Sequence, residues 1–253
     1  MISKNKQKFI KSLSSKKNRD IERLFIAEGP KVVSDLIGHY PCIILAATAE
    51  FLRTHPHITA KEVIEISQKE LEQMSLLKAP REVIAVFSQQ RFEQISEPDY
   101  KKDLVLVLDD IQDPGNLGTI IRVADWYGIS HVICSPHTAD VFSSKVVQAT
   151  MGALARVNVS YMPILELLKG VDKSVPIYGT FLDGDNIYNT DITPCGIIVM
   201  GNEGNGITNE VRVVINKRLY LPGYPKDVKS SESLNVAIAT AITCAEFRRR
   251  YQE

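Results

Sequence analysis

The chain has 253 residues, 44% of them hydrophobic and 24% charged, with 30 Lys and Arg balanced against 30 Asp and Glu. That length holds one large domain or two modest ones with ample core, and the composition excludes the disordered acidic class. The zero net charge argues against a simple basic nucleic-acid-binding module, and no apolar run approaches the roughly 18–20 residues that span a bilayer. Residues 1–23 are polar and lysine-rich without a hydrophobic centre, which argues against a secretory signal.

Charge is unevenly spread. Residues 1–23 carry eight basic side chains against two acids, and residues 212–253 carry eight against four. The stretch between them is therefore acidic by ten charges. Such separation points to a surface facing a polyanion, or to a solvated amphipathic helix at each end.

In chain order, short apolar runs at residues 24–27, 42–47, 63–66 and 83–87 predict strands, with helices over 30–37 and 68–77. Pro30 suits a first helical turn. This is a small α/β unit. Residues 88–103 are polar, contain Pro98 and read as a linker, giving domains 1–92 and 104–253 joined by 93–103. Residues 104–108 form a continuous apolar run of the buried parallel-strand kind. Helices are predicted over 117–127, 145–155, 163–168, 208–215 and 233–251, and strands at 131–134, 176–182, 197–200 and 219–221. The fold class is α/β: a mostly parallel sheet covered by helices on both faces, with ligands bound beyond the carboxyl ends of its strands.

Cys42, Cys134, Cys195 and Cys244 are far apart and read as reduced thiols of a cytoplasmic protein, and the five histidines show no metal-ligand spacing. Neither a P-loop nor a G-x-G-x-x-G fingerprint is present. No metal, membrane or hydride chemistry is expected.

Three loops carry unusual residues. The first, DDIQDPGNLG over 109–118, contains a strong turn sequence, and Asn116 is placed to cap the helix that follows. Arg122 sits between Ile121 and Val123 near the expected start of that helix, where the dipole disfavours a cation, so it needs an anionic partner. The second, GNEGNG over 201–206, has three glycines that permit close backbone approach, with Glu203 as an acceptor at a strand end. The third, LPGYPKDVKSSESLN over 221–235, adds Lys226 and Lys229, has Ser231 and Ser233 as possible caps, and runs into an apolar helix. That helix is expected to be core or oligomer interface, with Asn235 buried and in need of partners.

The segments NLGTIIRVADWYGI, IIVMGNEGNGI and LPGYPKDVKSSESLNVAIATAI resemble the three motifs of the SpoU family, in the SPOUT superfamily of S-adenosylmethionine-dependent RNA methyltransferases. SLSSKKNRDIERLFIAEG and APREVIAVF are similar to its N-terminal RNA-binding domain. The resemblance implies a Rossmann-like sheet with a C-terminal trefoil knot and methylation of a ribose 2′-hydroxyl in RNA. Ribosomal RNA is favoured over transfer RNA, and a non-catalytic RNA-binding or ribosome-assembly factor is the alternative of another class. It implies a homodimer, polar site residues at Asn116, Arg122, Glu203, Ser233 and Asn235, and an adenosylmethionine pocket at Thr180, Gly201, Leu221 and Leu234. In that reading Glu203 and Asn235 hold Arg122 and Asn116 in place.

Overall fold

A computed structural model of the chain describes residues 2–93, 96–225 and 233–251. The chain divides into two compact units, Met1–Ile95 with Asp140–Ala155, and Ser96–Ala139 with Arg156–Glu253.

The first unit opens with α1 (Lys4–Ser12) and α2 (Lys16–Glu22), followed by β1 (Leu24–Glu28), α3 (Pro30–Leu36), β2 (Cys42–Ala47), α4 (Ala49–Thr54), β3 (Glu62–Glu65), α5 (Gln68–Met74) and β4 (Val83–Ser88). Three of these helix starts follow from side-chain caps. The Ser3 hydroxyl accepts from the Lys6 N–H, the Thr48 hydroxyl accepts from Phe51, and Ser67 with Glu70 closes a capping box. The four strands lie in the order β1-β4-β2-β3, with β4 antiparallel to β1 and β2, and β3 parallel to β2. Ile10, Leu13, Ile26, Ile44, Leu71 and Met74 pack one face of this sheet.

The second unit contains β5 (Leu104–Asp109), α6 (Pro114–Trp126) and β6 (His131–Cys134). Next in sequence, α7 (Ser144–Thr150) and a 3-10 turn (Ala153–Ala155) belong to the first unit. There Arg19 donates to the Asp140 carboxylate through Nη2 at 2.6 Å, and the rings of Phe25 and Phe142 lie 4.8 Å apart. The second unit resumes with β7 (Asn158–Tyr161), α8 (Ile164–Gly170), β8 (Ile177–Asn186), β9 (Gly196–Gly201), α9 (Asn209–Arg212), β10 (Lys217–Tyr220) and α10 (Val236–Arg249). Its six strands run in the order β10-β8-β9-β5-β6-β7, every neighbouring pair parallel. All six residues of β5 and of β9 are buried, as a parallel strand covered on both faces requires.

The expected helix over 145–155 stops early because Met151 takes a left-handed backbone, φ 51°, at its end. The expected helix over 208–215 is a single turn. α6 begins earlier than expected, at Pro114, because Asp113 rather than Asn116 is its N-cap, its carboxylate accepting from the Asn116 N–H at 2.8 Å. Arg122 is consequently the ninth residue of thirteen and not at the helix start.

Among the described residues no helix is long and apolar enough to cross a membrane, and no cluster of three or more His, Cys, Asp or Glu is placed to hold a metal.

Candidate active site

The central strands β5 and β9 end side by side, with Asp109 opposite Gly201. Both ends are tied down by short polar bonds. The Asp109 carboxylate, buried, accepts from the Thr208 N–H at 2.7 Å. Burial pushes that carboxyl above the usual aspartate range, while the Thr208 hydrogen bonds pull the other way. Asp110 adopts a left-handed backbone, φ 58°, and its N–H donates to the Ser135 hydroxyl at 2.9 Å, joining β5 to the end of β6.

Past β9 the chain makes a tight loop organised by Asn202. Its backbone exchanges both hydrogen bonds with Gly206, at 3.0 and 2.9 Å. Its side-chain oxygen accepts from the N–H groups of Gly204 and Asn205 at 2.9 and 3.0 Å, and its amide donates to the Asp110 carbonyl at 2.7 Å. Gly201 is required by close approach, because a Cβ there would lie 2.2 Å from both the Gly206 carbonyl carbon and the Ile207 nitrogen. Asn202, Asp110 and Ser135 were not among the expected site residues. The available signal was an Asn directly after an apolar strand, a residue type that closes turns through its own side chain.

This loop presents Glu203. Its carboxylate accepts from the Asn116 amide at 2.8 Å, and the Asn116 carbonyl oxygen accepts from the Asn235 amide at 2.9 Å. The Asn235 oxygen in turn caps α10, accepting from the N–H groups of Ala237 and Ile238 at 2.9 and 3.3 Å. Direction along this chain is fixed at both ends, since backbone N–H groups only donate and an ionised carboxylate only accepts. Three loops distant in sequence thus meet in one polarised row. Asn235 is exposed and serves as the helix cap; it is not the buried amide expected from the apolar run.

Arg122 and Ser233 do not join the row. Both are exposed, and neither side chain makes a hydrogen bond or ion pair among the described residues, so Glu203 and Asn235 hold Asn116 but not Arg122. Arg122 shares the exposed face of α6 with Thr119 and Trp126. Lys226, Lys229 and Ser231 lie outside the described residues.

The four expected pocket residues lie on the three adjacent strands β10, β8 and β9 and at the foot of α10. The Thr180 hydroxyl reaches the Met200 sulfur at 3.7 Å, Gly201 ends β9, Leu221 follows β10 directly, and Leu234 precedes the α10 cap. The ladder between β8 and β10 jumps here: Gly179 faces Arg218, then Asp185 faces Leu219, so residues 180–184 bulge out. The backbone N–H and carbonyl of half-buried Leu221 have no hydrogen-bond partner among the described residues.

Residues 103–245 match the model of the SpoU rRNA methylase family, and residues 4–85 match an MRM3-like substrate binding domain. The chain is 28% identical to the 23S rRNA (guanosine(2553)-2′-O)-methyltransferase RlmP of Bacillus subtilis, over 94% of each chain. A solved TrmH-family structure from Porphyromonas gingivalis superposes with a TM-score of 0.88 at 42% identity, covering 99% of both chains. The AdoMet-bound rRNA methyltransferase of Sinorhizobium meliloti superposes at 0.85 and 28% identity, covering 100% of this chain and 97% of that one. Parallel sheet, three-loop site and sequence agree along the whole length, and the chain belongs to the SpoU rRNA methylase family.

Proposed function

We propose that this protein transfers a methyl group from S-adenosylmethionine to a ribose 2′-hydroxyl of ribosomal RNA. The observation that carries the reading is the row Glu203–Asn116–Asn235, which gathers the three family motifs at the carboxyl edge of a parallel sheet, where such sheets bind ligands. Ribosomal rather than transfer RNA is favoured because the RlmP and S. meliloti proteins are named for rRNA.

The residues present fit the cofactor. The unpartnered backbone groups of Leu221 suit a base or amino-acid end, and side-chain-free Gly201 lets a ligand approach the end of β9. Thr180, Gly201, Leu221 and Leu234 would hold it, and when bound it supplies an electrophilic methyl on a sulfonium. The protein's own task is to place the hydroxyl and ease its proton loss. Positioning of this kind is worth roughly 7–11 kcal/mol. Arg122 orients and polarises the hydroxyl. A guanidinium offers N–H donors and no acceptor, so the proton leaves to water or an RNA phosphate.

The same proposal includes a homodimer. Supporting it, α10 shows a row of apolar residues, Ile238, Ala241, Ile242 and Ala245, that are exposed or half-buried, and Trp126 on the neighbouring α6 is 84% exposed. The knot belongs to it too: α10 follows edge strand β10 yet packs on α6, so the chain returns across the sheet.

The test is a labelled-methyl assay on unmodified ribosomal and transfer RNA, followed by ribose mapping. Ribose methylation of ribosomal RNA is expected, and its absence from both RNAs overturns the reading. Sedimentation at micromolar concentration tests the dimer, a mass near the monomer's 28.3 kDa overturning it. Trp126, the only tryptophan, reports the same event by a red shift on dilution.

A further inference from the structure

We infer that the lysine face of α1 is a docking surface for the phosphate backbone of RNA; this rests on the proposed function and assigns part of its substrate contact. Of the eight basic side chains in residues 1–23, Arg19 is buried against Asp140 and the Leu13 and Ser14 carbonyls, and Lys6 pairs with Glu62. Lys4, Lys8, Lys11, Lys16, Lys17 and Arg23 are exposed and make no ion pair among the described residues.

Lys4, Lys8 and Lys11 stand at i, i+4 and i+7, on one face of a helix that contains no acid. Like charges at this spacing repel and destabilise a helix, and a solvated face would gain from intervening acids. Their rows are about 6 and 4.5 Å apart along the axis, a spacing that lets each meet a different phosphate of one strand. The three lysines and Gln7 line a groove of about 380 Å³ whose other wall is Glu72 and Gln73 of α5. Gln7 and Gln73 add amide donors beside the ammonium groups. The opposite side of α1 is committed to the core through Phe9, Ile10 and Leu13. It therefore has no apolar face left to insert into a lipid surface, which separates this helix from membrane-binding basic helices.

The surface explains how a chain of zero net charge holds a polyanion: the charge is local, and its contribution is counterion release. Phosphate contacts of this kind give affinity and register, not sequence choice.

The test compares full-length wild type with the triple variant Lys4→Gln, Lys8→Gln, Lys11→Gln, and with a control of equal charge, Lys61→Gln, Lys169→Gln, Lys173→Gln. Binding to labelled, unmodified 23S rRNA transcript is followed across a KCl series. Glutamine is a good helix former, and circular dichroism verifies that α1 is retained. Removing three phosphate contacts should lower the slope of log affinity against log salt by about 2 and weaken binding on the order of 10- to 100-fold at 0.1 M KCl. The KM for RNA should rise with kcat unchanged, and the control should stay within about twofold. An unchanged slope in the α1 variant of an enzyme that still methylates RNA overturns this surface alone. Lysine-dependent binding to phosphatidylserine vesicles with unaltered RNA binding overturns it in favour of a lipid. A wild type that neither binds nor methylates RNA overturns the function, and this surface with it.

Discussion

Replacing Asn116 by alanine should separate the catalytic use of the polar row from its contribution to stability. Asn116 makes two side-chain bonds, 2.8 Å to Glu203 and 2.9 Å to Asn235, the first to a carboxylate. In a buried setting these would be worth about 1–3 kcal/mol each, but Glu203 and Asn235 are exposed and water replaces the lost partner. Asn116 is also the third residue of α6, where alanine recovers roughly 0.5 kcal/mol of helix propensity. The expected net loss is about 1 kcal/mol, a shift in Tm of roughly 2–4 °C for a chain of this size. The rate should behave differently. With Asn116 gone, nothing fixes the Glu203 loop to the start of α10, and a misplacement of about 1 Å at a reacting centre costs on the order of 100-fold. Single-turnover methyl transfer should therefore fall about 100-fold or more, with adenosylmethionine affinity by calorimetry little changed. Because either truncation breaks the row, the double variant Asn116→Ala, Asn235→Ala should be scarcely slower than the worse single variant. A rate within threefold of wild type refutes the assignment. A Tm drop above about 10 °C does so as well, since the row would then be holding up the fold.

Arg122→Ala should abolish the chemical step while leaving cofactor affinity intact; loss of adenosylmethionine binding in calorimetry would mean that Arg122 holds the cofactor instead. Gly201→Ala places a Cβ 2.2 Å from backbone atoms of Gly206 and Ile207, so the loop must shift. We expect a loss of about 3 kcal/mol, read as a Tm fall of roughly 6–12 °C, together with weakened cofactor binding; a stable variant would show that the loop yields freely. Glu28 is buried beneath bonds from the Ser75 hydroxyl and the Leu76 N–H, and burial raises its carboxyl above the usual glutamate range despite those bonds. A raised acid binds its proton more tightly in the folded state. Its stabilising contribution is thus complete below the unfolded value of about 4.3 and is lost as pH rises through the folded value. Denaturant unfolding across that window should show a falling component in wild type that is missing in Glu28→Gln, and identical slopes would refute the cause.

Legibility in the sequence varied with how completely an element is buried. The apolar runs at 42–47 and 131–134 coincide with β2 and β6, because strands sealed on both faces must be continuously apolar. β7 leaves no such mark in the sequence, because this sheet-edge strand is half-buried to exposed and has no continuous apolar run. α1 and α2 each bury little, Ile10 in one and Arg19 in the other, so their polar majority hides a helical face. α10 misled in the opposite sense: alanine and threonine make it apolar all round in sequence, yet Ile238 is 51% exposed. In sequence the start of α6 looks like a turn, because Asp-Pro-Gly-Asn encodes both a turn and a capped helix, and only the hydrogen bond that the Asn116 N–H donates to the Asp113 carboxylate decides between them.

For the site, the motifs marked Asn116, Glu203 and Asn235, but spacing could not show that they touch. Asn116 reaches its partners across 87 and 119 residues, and only the sheet order, which sets β9 beside β5, makes the first contact local. Exposed hydrogen bonds stabilise a fold very little, even where one partner is the Glu203 carboxylate, whereas the partly buried bonds from the Thr208 N–H to Asp109 and from the Asn202 amide to the Asp110 carbonyl already fix the strand ends. On the proposed function, a row that adds scarcely any stability, yet is directional at both ends and joins three loops, serves orientation. Water can replace any one of its bonds, but not the order that ties the Glu203 carboxylate to the cap of α10.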